Sequence, residues 1–160
     1  MTAVVRLHLE DAAHAEALLR LLDHYARDPM GGGRPLSPCV REQLAARLSE
    51  QPHYFGFLAF QDGEAVGVVN CFWGFSTFAA RPLVNVHDIA VLESHRGLGI
   101  GRALLAAVER EAAEAGACKL TLEVLEGNRP ARRVYESFGF RGYELDAATG
   151  QALFLEKPLG

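Results

Sequence analysis

The sequence has few cysteines, no long apolar stretch and no excess of basic residues, and each absence excludes a class of protein. Its three cysteines are odd in number and widely spaced, without a Cys-x-x-Cys or Cys/His pattern. A disulfide framework and a zinc site are therefore not expected. No apolar run approaches the roughly 18 residues that cross a bilayer. Charged residues from Arg6 onward also break any signal-peptide pattern, so we expect a cytoplasmic protein without a membrane segment.

Length and charge narrow the choice further. A chain of 160 residues fits a single domain, here residues 1–160, that is large enough to bury a proper core. Apolar residues make up 49% and charged residues 22%, which is ordinary for a globular protein and unlike a disordered one. The formal net charge of −4 gives no footprint for a phosphate backbone, so a nucleic-acid partner is not expected.

Hydrophobic periodicity predicts a mixed α/β fold with one sheet covered on both sides. Asp11 is placed to cap a first helix, and Ser37 followed by Pro38 is placed to start a second. Gly116 should end the third helix. The predicted strands are residues 2–9, 54–61, 65–73, 83–91 and 119–124, two more flank a turn at 147–150, and the later helices span 99–115 and 130–137.

The strongest chemical signal is a glycine-rich segment between a buried strand and an amphipathic helix. Gly97, Gly99 and Gly101 stand at alternate positions there. Missing side chains let the backbone approach a ligand, and the first N–H groups of a helix lack partners, so this segment predicts a phosphate or pyrophosphate site. The alternative is a strand-to-helix turn in which the glycines serve geometry alone.

Two nucleotide-binding patterns fit this segment poorly. A Walker A loop needs Gly-Lys-Ser/Thr, which the sequence does not contain. A dinucleotide fingerprint needs a third small residue at the sixth position, and that position is Arg102 counted from Gly97 and Leu104 counted from Gly99. Glu123 lies near the distance at which such a fold places its acidic residue, which keeps a nucleotide-binding module open as a weak alternative.

The pattern Arg96-x-x-Gly99-x-Gly101 instead resembles the pyrophosphate motif of the GNAT superfamily of N-acetyltransferases. A second block resembles the family's second coenzyme A segment. In that block Asn128 is followed by Ala131, Tyr135 and the pair Gly139-Phe140. The resemblance covers residues 3–157. It implies an α/β single-domain GNAT fold: a mixed, mostly antiparallel central sheet with splayed middle strands and helices on both faces.

The resemblance also implies acetyl-CoA as the cofactor and assigns residues to it. The backbone of Ile89, Ala90 and Val91 should border the pantetheine arm in the manner of an added strand. The segment from Arg96 to Arg102 should hold the pyrophosphate, and Asn128, Ala131 and Tyr135 should line the other side. The segment from Arg96 to Arg102 comprises Arg96, Gly97, Leu98, Gly99, Ile100, Gly101 and Arg102. Asn128 could equally serve as a helix cap, and Arg96 as an exposed loop charge.

Three residues are candidates for the catalytic chemistry. Tyr135 is the candidate general acid for the departing thiol, although it could be a core aromatic with its hydroxyl bonded. His87 and Asp88 are candidate bases for the amine, since imidazole and carboxylate side chains commonly serve as general bases. Adjacent strand residues point to opposite faces, so both can face one site only if the strand has a bulge, and by alternation His87 shares the face of Ile89 and Val91.

The predicted reaction is transfer of an acetyl group from acetyl-CoA to a primary amine of a small molecule, by direct attack in a ternary complex. The segment from Phe75 to Val91 is similar to the diamine (spermidine/spermine) branch of the superfamily, which usually has Glu where His87 stands, so a di- or polyamine or an amino-acid-like amine is a candidate acceptor. A protein N-terminal or lysine acetyltransferase and a non-catalytic acyl-CoA sensor are the alternatives. The resemblance also implies a homodimer.

Overall fold

The computed structural model describes residues 1–159 and divides the chain into two compact units, Met1–Leu125 and the residues from Glu126 onward. The first unit contains a five-stranded sheet and three helices, and the second contains one helix. In chain order the elements are β1 (Thr2–Arg6), α1 (Ala12–Arg27), α2 (Pro38–Ser49), β2 (Tyr54–Gln61), β3 (Glu64–Ser76), β4 (Arg81–Val91), α3 (Ile100–Glu114), β5 (Leu120–Leu122) and α4 (Arg129–Phe138).

The strands of the sheet lie in sequence order, β1-β2-β3-β4-β5. The first four pair antiparallel, and β4 pairs with β5 in parallel. Asp62 and Gly63 connect β2 to β3 with positive φ angles of 51° and 84°, the conformation that a tight hairpin requires. The predicted mixed and mostly antiparallel sheet is confirmed.

Helix α1 covers one face of the sheet. Asp11 caps it, because its carboxylate accepts hydrogen bonds from the backbone N–H groups of Ala13 and His14. Leu18 and Leu21 of this helix are completely buried against the sheet. The buried residues of this core cluster are Leu7, Ala17, Leu18, Leu21, Leu58, Ala65, Val68 and Ala90.

Helix α3 covers the opposite face. Val68 belongs to the α1 core, while its neighbour Gly67 points the other way, toward Ile100 and Leu104 of α3. A Cβ at Gly67 would lie 3.1 Å from Ile100, so the glycine lets the first turn of α3 pack closely on β3. The helix ends at Glu114, and Gly116 follows its C-cap with a φ of 75°, which suits a residue without a side chain. Helices therefore cover both faces, as predicted.

The predicted separation of neighbouring strands occurs between β4 and β5. Their pairing is limited to three positions, Val84 to Val86 of β4 with Leu120 to Leu122 of β5. Beyond these positions β4 continues past the end of β5, and its residues Asp88 to Val91 are still paired with β3 on the other side. Within the first unit, β4 thus presents a backbone edge that no strand of that unit covers.

The two predicted C-terminal strands are wrong. Among the described residues beyond 140, the only strand pairing is an isolated bridge between Glu144 and Gln151, around a turn that Asp146 closes by accepting from the N–H groups of Ala148 and Thr149. The apolar side chains of this segment, such as Phe154, remain exposed. A two-stranded hairpin is stable only when its apolar face packs on something, and these residues lack that burial. The predicted strand 119–124 is likewise shorter, Leu120–Leu122.

The sequence argued against a disulfide framework and a membrane segment, and the structure describes both the cysteines and the helices concerned. Cys39, Cys71 and Cys118 are unbonded thiols, and burial raises the pKa of the Cys71 thiol far above its usual range. Within residues 1–159, no helix combines the length and the apolar character that crossing a bilayer requires.

Candidate active site

The glycine segment folds as the sequence predicts, into a tight connection between β4 and α3. Gly97 and Gly99 both have a φ of 80°, which is accessible to glycine but strained for other residues. Gly99 is the N-cap of α3, and no side chain caps this end of the helix. Its first turn therefore presents backbone N–H groups and the positive end of the helix dipole to a ligand. Leu98 beside it is 59% exposed.

Gly101 is a glycine at this end of α3 for which the surrounding described residues give no reason. It lies in the first turn of the helix with a φ outside the left-handed region, and apart from its neighbours in the helix no atom of the described residues lies within 4 Å of where its Cβ would be. Neither backbone strain nor crowding within the chain explains a glycine here. Glycine in a helix costs about 0.5–1 kcal/mol relative to alanine. The space fits a group that approaches the backbone closely, such as the pyrophosphate of coenzyme A.

The uncovered edge of β4 leads directly to this segment. The N–H of Leu92 donates to the carbonyl of Val66, so Leu92 bonds toward β3. Along an antiparallel strand, residues alternate between bonding to the partner and facing away from it. Ile89 and Val91 therefore direct their backbone groups to the uncovered edge, while Ala90 bonds toward β3 and buries its side chain under α1. This arrangement fits the backbone pairing with pantetheine predicted for Ile89 and Val91.

Arg96 is engaged by the protein itself. Its Nε donates to the carbonyl of Val91 at 3.2 Å, and its Nη2 lies 3.0 Å from the carboxylate of Asp28. Asp28 also accepts from the backbone N–H of Met30, and these two contacts, the Met30 bond first, lower the pKa of its carboxyl. Arg96 thus joins the glycine segment to the loop after α1. Its predicted contact with the pyrophosphate remains a prediction.

A β-bulge in β4 brings both candidate bases to one face of the sheet. Asn70 of β3 pairs with Asp88, but its neighbour Cys71 pairs with Val86, so His87 is the extra residue. The His87 ring packs edge-on against Phe72 at 5.3 Å, and Asp88 accepts a hydrogen bond from the Asn70 amide at 3.0 Å. The strand thus has the bulge that His87 and Asp88 need in order to face the same site.

The bulge also corrects one expectation. By simple alternation His87 would share the face of Ile89 and Val91, and that is wrong, because the extra residue shifts the alternation by one position. His87 and Asp88 instead lie on the face covered by α1, together with Ala90.

Asp88 ends a short chain of buried hydrogen bonds that sequence reasoning missed. The hydroxyl of Tyr54 donates to the Asn70 carbonyl oxygen at 2.9 Å, and the Asn70 amide donates to Asp88. Burial, with smaller contributions from Cys71 and Asp88, raises the pKa of Tyr54, which keeps its hydroxyl protonated as a donor. The chain fixes one carboxylate oxygen. Asn70, a polar residue inside an apolar strand, was the signal available in the sequence.

His87 and Asp88 form the polar end of a cavity of about 370 Å³. Its other walls come from α1, α2, the loop between them and β3, and they are mostly apolar. Ligand pockets begin at about 300 Å³, so the cavity is large enough for a small molecule. Among the aromatic residues of β3 and the loop after it, Phe72 lines the cavity, Trp73 packs on Phe55 at 5.2 Å between ring centres, and Phe75 and Phe78 are exposed.

The remaining predicted residues lie in the second unit. Asn128 caps α4, since its side-chain oxygen accepts from the N–H of Ala131 at 3.3 Å. Asn128 is therefore a helix cap, which is the alternative role considered for it. Tyr135 lies on α4 and packs edge-on against Phe140 at 6.0 Å between ring centres. The roles predicted for Asn128, Ala131 and Tyr135 toward coenzyme A remain predictions.

Comparison with known proteins identifies the family. The sequence profile described as "Acetyltransferase (GNAT) family" matches residues 18–140, which include parts of both units. The chain therefore belongs to the GNAT acetyltransferase family, a family of acyltransferases that use acetyl-CoA. This confirms the predicted superfamily, whereas the diamine branch within it is not specifically supported.

Two curated acetyltransferases are similar to this chain in sequence. An N-alpha-acetyltransferase of Sulfurisphaera tokodaii is 41% identical over 92 residues, 53% of this chain and 55% of that one. Streptothricin acetyltransferase of Streptomyces lavendulae is 39% identical over 90 residues, 56% and 46% of the two chains. The chain thus spans about half the length of these relatives.

The fold likeness extends over nearly the whole chain. An aminoglycoside acetyltransferase from an uncultured soil metagenomic sample, in complex with sisomicin, has a TM-score of 0.79 at 21% identity, covering 99% of this chain and 97% of that one. A ribosomal-protein-alanine N-acetyltransferase from Brucella melitensis biovar Abortus 2308 has a TM-score of 0.74 at 23% identity, covering 98% and 99%. At these identities the likeness establishes the GNAT fold.

Proposed function

We propose that the protein transfers an acetyl group from acetyl-CoA to a primary amine of a small molecule bound in the cavity below β4. The observation that carries the proposal is the position of His87 and Asp88. They line the cavity on the same strand whose next residues, Ile89 and Val91, direct backbone groups to the uncovered edge. One strand thus adjoins both the predicted path of the coenzyme and a cavity that could receive an acceptor.

The acceptor amine must lose a proton before it can attack. A primary amine with a pKa of about 10.4 is neutral in roughly one molecule per thousand near pH 7.4, a penalty of about 4 kcal/mol. The Asp88 carboxylate, held by Asn70, attracts and orients the ammonium group. His87 is exposed to solvent at the mouth of the cavity, and its imidazole accepts the proton and passes it to water.

Acetyl-CoA supplies the activated acetyl group as a thioester. The first turn of α3 and Gly101 would hold its pyrophosphate, and the backbone of Ile89 and Val91 would pair with its pantetheine arm. Tyr135, whose phenol is protonated at neutral pH, would donate a proton to the departing sulfur. Amine and thioester would be bound together, so the amine attacks directly.

An acceptor assay tests the proposal and separates it from its alternatives. Purified protein is supplied with acetyl-CoA and either a panel of small amines or peptides with a free N-terminus or a lysine, and thiol release is measured. Acetylation of small amines that Asp88→Asn abolishes supports the proposal. Turnover of peptides alone would favour the protein-acetylating alternative. The similarity to the N-alpha-acetyltransferase of Sulfurisphaera tokodaii is the reason to include peptides. Binding of acetyl-CoA without any turnover would indicate an acyl-CoA sensor.

The panel should include di- and polyamines and amino-acid-like amines, because the segment from Phe75 to Val91 is similar to the diamine branch. We further propose, from family resemblance, that the protein is a cytoplasmic homodimer. Light scattering that gives the mass of one 17.4 kDa chain at micromolar concentration would contradict the dimer.

A further inference from the structure

Helix α2 presents an apolar stripe to the cavity, and Leu48 at the end of that stripe also packs against the core cluster under α1. Val40, Leu44 and Leu48 follow one another at intervals of four residues, which places them on one face of the helix. None of the residues of α2 is buried. The stripe therefore lies against the cavity itself. The apolar walls that face this space are Leu22, Leu36, Val40, Leu44, Leu48 and Phe72.

Asp88 is the one carboxylate among the residues that line the cavity. Two neighbouring carboxylates on α1 and its loop could serve a second ammonium group, and both are already neutralised. Asp23, 8% exposed, bonds to Arg27 at 2.8 Å, lies 3.3 Å from Arg41 and accepts from the N–H of Leu36. Asp28 pairs with Arg96.

We infer that the acceptor carries its amine on an apolar group and has no second positive charge. This inference rests on the proposed function and names the class of its substrate: an alkyl or arylalkyl monoamine. Its ammonium group lies at Asp88 and His87, and its hydrocarbon part lies along the α2 stripe. A diamine or an aminoglycoside would place a second charge against leucine side chains, where it would lose hydration without gaining a carboxylate partner.

A series of alkylamines of increasing chain length measures how much the apolar wall contributes to kcat/KM. Each methylene that leaves water is worth about a fourfold gain in affinity. From propylamine to hexylamine, kcat/KM should therefore rise about fourfold per carbon until the cavity is full. Hexylamine and 1,5-diaminopentane have the same number of non-hydrogen atoms. They differ at one end, where hexylamine has a methyl group and the diamine has a second ammonium group. The diamine should have a kcat/KM at least about 100-fold lower.

A designed carboxylate tests the same point from the protein side. Leu44→Glu places a negative charge on the stripe and should raise kcat/KM for 1,5-diaminopentane at least tenfold while lowering it for hexylamine. Ala46→Glu, on the exposed side of the same helix, is the matched control and should change neither. If Leu44→Glu lowers the thermal midpoint by more than about 5 °C, Val40→Glu replaces it, since Val40 is 40% exposed.

Direct binding separates failure of this inference from failure of the proposed function. Hexylamine should raise the thermal midpoint of the wild-type protein, and 1,5-diaminopentane should not. Equal or better binding and turnover of the diamine would overturn the inference while leaving amine acetylation intact. Acetyl-CoA binding with no acetylation of any amine would refute the proposed function, and absence of hexylamine binding would overturn the inference as well.

Discussion

Gly101→Ala should make the protein more stable and at the same time weaken its binding of acetyl-CoA. The described residues offer no internal reason for glycine at this position: its φ is not left-handed, and apart from its neighbours in the helix no atom lies within 4 Å of the missing Cβ. Alanine in a helix is favoured over glycine by about 0.5–1 kcal/mol. For a domain of this size, the thermal midpoint should rise by about 1 to 4 °C.

The effect on binding has the opposite sign. A methyl group on the first turn of α3 would hold the pyrophosphate away from the backbone N–H groups. Loss of one hydrogen bond to a charged group costs about 1.5–3 kcal/mol, so the Kd for acetyl-CoA should rise about 10- to 100-fold. Isothermal titration calorimetry gives the Kd, and differential scanning calorimetry gives the midpoint.

Ala106→Gly is the matched control for this pair of effects. Ala106 is exposed in the middle of α3, so glycine there should cost about 1 kcal/mol of stability without changing the Kd. If Gly101→Ala gains stability and binds acetyl-CoA as tightly as the parent, the glycine does not serve the coenzyme, and the assignment of this loop is wrong.

Three further predictions concern the acid, the base and a buried carboxylate. Tyr135→Phe should lower kcat about 10²- to 10⁴-fold with little change in thermal midpoint or acetyl-CoA affinity, and a kcat within threefold of the parent, with chemistry rate-limiting, would exclude the acid role. For the base, kcat/KM should rise with pH between 6 and 9, and His87→Ala should flatten that profile while acetyl-CoA still binds. Asp23→Asn should cost about 2 kcal/mol at pH 7. The bond from Arg27 is the largest cause that lowers the pKa of Asp23 below its ordinary 3.8, so this stability is present above pH 3.8 and is lost as pH falls through the folded pKa. Urea unfolding should show the two proteins converging below pH 3.8, and a constant difference at acid pH would refute the argument.

The features that the sequence predicted well depend on local chemistry. Asp11 and Ser37 cap the helices they were expected to cap, because a side-chain oxygen followed by bare N–H groups is a short-range signal. Gly116 follows the end of α3 as predicted, and Gly99 is the N-cap just before it, because glycine readily adopts the positive φ angles found at both positions. The mixed sheet and its helix-covered faces then follow from the order of these elements.

The features that were missed depend on residues far apart in the chain. The pairing of Arg96 with Asp28 joins positions 68 residues apart, and the Tyr54–Asn70–Asp88 bonds cross three strands. Nothing local to His87 marks a bulge, because its cause is the register of β3 against β4. The C-terminal strands were predicted on either side of a turn at 147–150, but a strand also needs a partner surface, and a turn alone does not specify one.

The bulge at His87 has a consequence for how the strand could be shortened. With His87 removed, Asn70 would still pair with Asp88 and Cys71 with Val86, and those pairs would become consecutive in a regular ladder. Val86 and Asp88 already occupy opposite faces, as neighbours in such a ladder must. A chain one residue shorter would therefore keep its core and the orientation of Asp88 and lose a single imidazole. The histidine is an insertion that the scaffold accommodates, and the sheet's architecture does not depend on it.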